Sequence, residues 1–376
     1  MINVKVGQIL SRVKEPLVIK DDCEYRRLTI RMYHNGVYTR DIEKGINIGT
    51  KNQFIARRGQ FIMSRIDARN GAFGIIPETI DVAAITNDFL SFEVNKEYVN
   101  MEFFKLYSQT DYFMQLCLRG SIGTTNRKRL KEEVFLNFDL NLPDIHIQER
   151  VVQQYNKFNK LNETLEIEIR NQSDLLSQFL YSKYTEITSD VDNKPMKEIA
   201  PIIRRPVEVE DDELYPELGI RSFGKGTFHK PALTGVEIGN KKLYQIHAGD
   251  VVFSNVFAWE GAIAVASIED DGRVGSHRFI SCRPDLKQVN PYFLFYHFIN
   301  KKGLEDINRA SPGGAGRNKT LGLTKLENIF VPIPDIEEQN KFVLLLKKVN
   351  EISNNLNEPR NISKIIAASL LSSILI

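Results

Sequence analysis

Long apolar runs are missing from this 376-residue chain. No stretch approaches the roughly 20 residues needed to cross a bilayer, and Met1-Ile2-Asn3-Val4-Lys5 lacks the apolar core of a signal peptide. The greasiest part, Ile365 to Ile376, is about half a span and reads as a helix packed on a partner. Cysteine is scarce. Cys23, Cys117 and Cys282 are scattered and odd in number, which suits a reducing, cytoplasmic setting and not a disulfide framework. Excess charge of either sign is also lacking, because 50 Lys and Arg meet 48 Asp and Glu for a net +2. That excludes a uniformly basic nucleic-acid sleeve but not local basic faces. Catalytic motifs are absent too: no Walker loop, no His-x-Glu with a paired Cys-x-x-Cys, no Gly-x-Ser-x-Gly elbow. The Asp/Asn-Pro-Pro-aromatic tetrapeptide of amino-methyltransferases is missing. The six histidines do not fall at ligand spacings. Asp335 to Lys341 has the outline of a nuclease metal site, but its acids crowd the first turn of a helix, where capping explains them. No catalytic residue and no metal ligand is assigned.

What is present is a signature and its copy. Leu142-Pro143-Asp144-Ile145-His146-Ile147-Gln148-Glu149 returns as Ile333-Pro334-Asp335-Ile336-Glu337-Glu338-Gln339-Asn340. Proline pushes the residue before it out of the helical region. Asp144 is a good N-cap, and Gln148 and Glu149 put acceptors in the first turn, where the helix dipole favours negative charge. Val151, Tyr155, Phe158, Leu161, Leu165, Ile169, Leu176, Phe179 and Leu180 then follow at helical spacing. From Ile147 to about Lys183 the helix would run about 55 Å at 1.5 Å per residue. The second signature opens a similar run from Phe342 to Ile374, in which Pro359 predicts a kink or short break.

The copy extends to the segments before each signature. Ile30-Arg31 and Ile220-Arg221 lie 190 residues apart. The same offset pairs Gly36 with Gly226, Gly45 with Gly235, Gly59 with Gly249, Ser64 with Ser254, Gly71-Ala72 with Gly261-Ala262, Val99-Asn100 with Val289-Asn290, Arg119 with Arg309 and Arg127 with Arg317. One inserted residue later, Leu130 meets Leu321 and Pro143 meets Pro334. Chance does not hold one offset so long, so the chain is an internal duplication. Each copy reads as strand-rich and mixed. Tyr25 to Arg31 and Val251 to Asn255 are predicted strands, Arg58-Gly59-Gln60 and Ala248-Gly249-Asp250 tight turns, and Glu102 to Met114 and Tyr292 to Asn308 helices. The fold class is α+β: two similar mixed domains, residues 1–143 and 187–334, separated by two long, coiled-coil-like antiparallel helices, 144–186 and 335–376, with a pseudo-two-fold repeat.

The basic, glycine-bearing loops are the candidate binding parts. Arg127, Lys128 and Arg129 in one copy, and Arg317, Asn318 and Lys319 in the other, sit where backbone can approach phosphates closely. Arginine forks match phosphate oxygens and the guanine edge. Arg31, Arg65, Arg69 and Arg119 add cations in the first copy, as Arg221, Lys225 and Arg309 do in the second. Arg26, Arg27, Arg57, Arg58, Arg204, Arg205, His229 and Lys230 enlarge the basic count. Trp259 falls where the first copy has Arg69, and reads equally as a base-edge wedge or a packing residue.

The doubled Pro-x-x-x-x-Gln signature with its long helices resembles the specificity subunit of type I restriction-modification systems, over essentially the whole chain. The resemblance implies two target recognition domains, each reading one half of a split, asymmetric site in double-stranded DNA. It implies helices that dock two methyltransferase (modification) subunits, which restriction and translocase subunits then join. S-adenosylmethionine, ATP and magnesium would belong to those partners, and this chain would bind no cofactor and do no chemistry. Asn340 in place of the acid Glu149, and Pro359, are departures in the second helix. Reading heads on one DNA face would sit about one turn apart, roughly 10 base pairs.

Overall fold

A computed structural model describes residues 1–123, 128–313 and 319–373. The chain divides into two compact units, Met1–Glu168 with Glu358–Ile376, and Ile169–Asn357. Both are mixed α/β, and the helix Ile145–Thr188 lies between the two sets of sheets along the chain.

The duplication is legible strand by strand. In the first unit a five-stranded sheet runs Glu15–Val18, Asn52–Arg57, Val82–Ile85, Glu24–Ile30, Val37–Lys44. In the second, Pro206–Val207, Leu243–Gln245, Val274–Ser276, Leu214–Ile220 and Thr227–Thr234 take the same order. One parallel pairing interrupts each otherwise antiparallel sheet, at Arg27 with Ala84 and at Glu217 with Val274, which are equivalent positions. Each outer hairpin carries a register shift, between Arg27 and Leu28 and between Pro216 and Leu218. A second, four-stranded sheet in each unit packs its apolar face on the helices that follow. Its central strands Phe61–Ser64 and Val251–Ser254 are almost wholly buried, as continuous apolar runs with both faces covered should be. Gly45 and Gly235 are kept in both copies because a Cβ there would come within 1.9 Å of the Lys20 carbonyl and 2.0 Å of the Glu210 carbonyl.

The two helices expected at Glu102–Met114 and Tyr292–Asn308 are each split. The first becomes Met101–Tyr107 and Asp111–Gly120, the second Pro291–Ile299 and Lys301–Ala310. Local capping wins over apolar periodicity here. The Thr110 hydroxyl accepts from the Phe113 amide, and the Asn300 side chain accepts from the Gly303 amide, each opening a new helix.

The long helix exceeds the expected length, covering 44 residues from Ile145 to Thr188. Its stripe divides its labour. Val151, Val152 and Tyr155 pack on the first unit's core, and Leu176, Leu180, Tyr184 and Ile187 on the second's, whereas Leu161 and Phe179 of the same stripe are exposed. Within the first unit, Asn162 contacts Ser363 and Glu166 holds Arg360, with Nε at 2.8 Å from Oε1. The two numberings run in opposite senses, so these helical segments are antiparallel. Within the second unit Tyr184 packs edge-on against Phe342, centroids 6.0 Å apart. The break at Pro359 is real. One helix covers Ile336–Asn355 and the next Glu358–Ser373, placing proline in a first turn, where its missing N–H costs nothing. No helix among the described residues is long and apolar enough to cross a membrane.

One buried histidine makes the second unit acid-sensitive. His297 is fully buried, its Nδ1 2.5 Å from the Tyr184 hydroxyl. Burial, reinforced by Lys302, pushes its pKa down to about 3. The unfolded chain, with a histidine near 6.5, therefore takes up the proton first. Stability is complete above about pH 6.5 and is lost as pH falls toward 3, at up to about 1.4 kcal/mol per pH unit. Between pH 6.5 and 5 the second unit should lose roughly 2 kcal/mol. Urea titrations should show that drop in the wild type, and a smaller one in His297→Phe measured from its own pH 7.5 value. Equal drops in both would refute the assignment.

Candidate nucleic-acid interface

Each unit assembles the same face from three pieces. The first is the outer hairpin tip, closed by Arg31 N–H donating to the Gly36 carbonyl at 3.0 Å, and by Arg221 N–H donating to Gly226 at 2.9 Å. The second is a single 3-10 turn, Ala68–Asn70 or Ala258–Glu260. The third is the far end of the glycine-bearing loop.

Backbone hydrogen bonds dock tip to turn. Tyr33 and His34 N–H donate to the Asn70 and Gly71 carbonyls at 2.7 and 3.1 Å. Phe223 and Gly224 N–H donate to Glu260 and Gly261 at 2.9 and 2.8 Å. The approach is close. A Cβ on Gly71 would lie 3.0 Å from the His34 ring, and Gly71 and Gly261 both take φ near +74°, a conformation glycine adopts without penalty. The loop returns to the same place. Leu130 N–H donates to the Arg65 carbonyl at 2.7 Å, and Leu321 N–H to the Asn255 carbonyl at 2.8 Å. The matched pairs Arg31/Arg221, Gly36/Gly226, Gly71/Gly261 and Leu130/Leu321 are thus the joints of one face.

The candidate cations sort by what holds them. Arg31 lies over the Tyr38 ring at 4.6 Å and Arg221 over Phe228 at 5.0 Å, both exposed. A planar guanidinium on a ring keeps its charge while its direction is fixed. Lys225 is exposed beside Phe223, 5.8 Å from the ring centroid. Arg65 is half-buried and bonds Glu132 at 3.1 Å, while Arg69 is half-buried in the 3-10 turn and Lys128 half-buried at the loop's end. Arg129 pairs with Asp88 at 2.8 Å. Arg119 covers Phe138 at 4.9 Å, next to the strand Asp139–Leu142 that leads into the long helix. Arg309 pairs with Asp306, one turn away, at 2.6 Å. Trp259 is half-buried against the core, and its Nε1 donates to the Val256 carbonyl at 2.9 Å. Lys319 sits 5.0 Å over that ring and donates to Asn308 at 3.0 Å. Arg127, Arg317 and Asn318 lie outside the described residues.

Several other arginines are occupied internally. Arg27 forks onto Asp41 at 2.7 and 2.9 Å, and Arg57 onto Glu15 at 3.1 and 2.6 Å. Arg205 and Arg283 both meet the fully buried Asp250, at 2.6 and 3.1 Å.

Sequence reading passed over Tyr33 and Phe223. They occupy the same place in the repeat and are each 74% exposed. Both are left-handed, with φ of 59° and 64°, which costs a non-glycine residue about 1–2 kcal/mol. The available signal was an aromatic at matched offset between a matched arginine and a matched glycine.

The signature glutamines are joints, not surface groups. Gln148 is fully buried. Its Oε1 accepts from Asn100 N–H at 2.8 Å, and its Nε2 donates to the Tyr98 and Pro143 carbonyls at 3.0 and 2.8 Å. Gln339 repeats every contact, with Asn290 N–H at 2.9 Å and the Gln288 and Pro334 carbonyls at 2.9 and 2.7 Å. Each glutamine ties the start of a long helix to the cap of the helix beginning at Met101 or Pro291. Asp335, expected to cap, makes no side-chain cap bond.

Each unit thus pairs a matched face with a buried glutamine joint at the start of a long helix. Residues 188–365, just under half of the chain, match the model of the type I restriction modification DNA specificity domain. Among curated relatives, the putative type I restriction enzyme MjaX specificity subunit of Methanocaldococcus jannaschii is 23% identical over 191 residues, covering 48% of this chain and 44% of the relative. The EcoR124I/EcoR124II specificity subunit of Escherichia coli is 33% identical over 85 residues, 21% of each chain. The matched stretches thus span under half of either curated relative. The fold is shared with solved structures. The HsdS subunit from Thermoanaerobacter tengcongensis superposes with a TM-score of 0.57 at 15% identity, covering 100% of this chain and 96% of that one. A chain from a structure describing complex assembly and conformational transition of the type I R-M system gives 0.65 at 15% identity, covering 100% and 97%.

Proposed function

We propose that this chain is the DNA-reading specificity subunit of a cytoplasmic type I restriction-modification enzyme. Each unit reads one half of a split duplex site through its hairpin tip, 3-10 turn and glycine-bearing loop. The two faces share a frame but not their side chains, with Arg69 against Trp259 and Arg65 against Asn255, so the half-sites differ and the target is asymmetric. The long helices dock two methyltransferase subunits, and restriction and translocase subunits join them. Exposed Leu161 and Ile167 on the helix in the first unit, and Leu175 and Phe179 in the second, offer such partners apolar contacts. Methyl transfer and cleavage, with S-adenosylmethionine, ATP and magnesium, belong to the partners. The observation that carries this reading is the recurrence of one face, with Arg31 and Arg221 at matched positions on its tips, in both units of a chain whose residues 188–365 match the specificity-domain model. A methylation-only or other phage-defence complex would use the chain in the same way.

Deleting the chain from its host should erase one bipartite, asymmetric methylated motif from the genome, and restoring it should bring that motif back. Methylome sequencing of the two strains reads this directly. An unchanged methylome would end the proposal.

A further inference from the structure

The hairpin tips carry a feature that binding to phosphates does not need. Tyr33 and Phe223 stand clear of the surface at 74% exposure, in the same left-handed conformation, at the same point of the repeat. Single exposed aromatics are ordinary; two at matched positions, each held in a strained backbone, are not. In that conformation the Tyr33 and Phe223 N–H groups make the docking bonds to the Asn70 and Glu260 carbonyls. Asparagine or glycine would relieve the strain, yet both copies keep a ring. One copy has a hydroxyl and the other does not, so the shared property is the π-face. The tips themselves are cationic. Arg31 lies on the tip of the first unit, and Arg221 and Lys225 on the tip of the second; Arg69 is on the first unit's turn and Glu260 on the second's. An apolar ring projecting from a basic hairpin fits a nucleic acid, whose phosphates meet the cations and whose bases offer a stacking face.

We propose that Tyr33 and Phe223 are wedge residues, each pressing its ring between or against bases of the half-site read by its own unit and unstacking one base step. The ring supplies stacking and DNA distortion, while Arg31 and Arg221, each laid on the next aromatic of its own hairpin, anchor the flanking phosphates. This rests on the reading of the chain as a duplex-DNA specificity subunit.

The test uses the full chain purified with the subunits that accompany it from its host. The probe is a 40-base-pair duplex carrying the motif assigned by methylome mapping, with 2-aminopurine placed in turn at each purine of one half. Tyr33→Asn and Phe223→Asn remove the ring while tolerating the left-handed backbone, and Tyr33→Phe keeps the ring. Wild-type protein should brighten 2-aminopurine at one step in each half. Tyr33→Asn should abolish the signal in one half only, Phe223→Asn in the other, each weakening binding roughly ten- to hundredfold, and Tyr33→Phe should behave as wild type. Tight binding with no brightening in the wild type, or with signals unchanged in both asparagine variants, would overturn the wedge while leaving DNA reading intact. Absence of any motif-dependent binding by the wild type would overturn both.

Discussion

Gln148→Met is expected to destabilise the first unit by roughly 3–5 kcal/mol, and Gln339→Met the second by a similar amount. Methionine nearly matches glutamine in volume, so the cavity contribution is small. What changes is hydrogen bonding. The Asn100 N–H and the Tyr98 and Pro143 carbonyls lose the side chain that satisfies all three at once. A buried backbone group left without a partner costs about 1–3 kcal/mol. Glutamate would serve no better, because an ionised carboxylate accepts but cannot donate to two carbonyls. The duplication supplies the control. Hydrogen exchange should show faster exchange at the Asn100 amide in Gln148→Met with the Asn290 amide unchanged, and the reverse in Gln339→Met. Urea midpoints indistinguishable from wild type in both variants would show that the joint carries no load.

That joint also shows what the sequence discloses and what it hides. The repeat of Pro143 and Gln148 as Pro334 and Gln339 is plain in the letters, and so is the long helix after each. Glutamine in a first turn reads as a surface acceptor, because its burial depends on Tyr98 and Asn100, about 50 residues away. The same applies to the cations. Arg31 and Arg221 are identifiable by their common offset. Arg129 looks equally free until its partner Asp88 is seen, and Arg27 until Asp41 is. Pairing across strands is set by register, which a single sequence does not print. Tyr33 and Phe223 escaped notice because identity matching ignores a Tyr–Phe exchange and because backbone dihedrals leave no letter behind. The split helices were within reach, since Thr110 and Asn300 are ordinary capping residues; apolar spacing that runs on through them concealed the breaks.

On the proposed function, exchanging residues 1–141 for the first unit of a type I specificity subunit should replace one half of the methylated motif and leave the other half as it was. The first unit has its own cores, built around Phe61, Phe92 and Phe113 and around Leu28 and Ile62, and the second has separate ones around Phe253, Phe293 and Phe342. Within the exchanged part the retained Gln148 grips only backbone groups, of residues 98 and 100, so any unit with the same loop path satisfies it whatever its side chains. Val151, Val152 and Tyr155 are the helix residues that must repack on the incoming core, and hydrophobic cores tolerate such changes when volume is kept. The functional consequence is large. Each mismatched base pair costs about 1–3 kcal/mol, so three wrong pairs in one half lower affinity for the old site at least about a hundredfold. Methylome sequencing of a strain carrying only the chimera should therefore show one new half joined to one old half. Alteration of both halves would mean that the units do not read independently, and retention of both would place base reading outside residues 1–141.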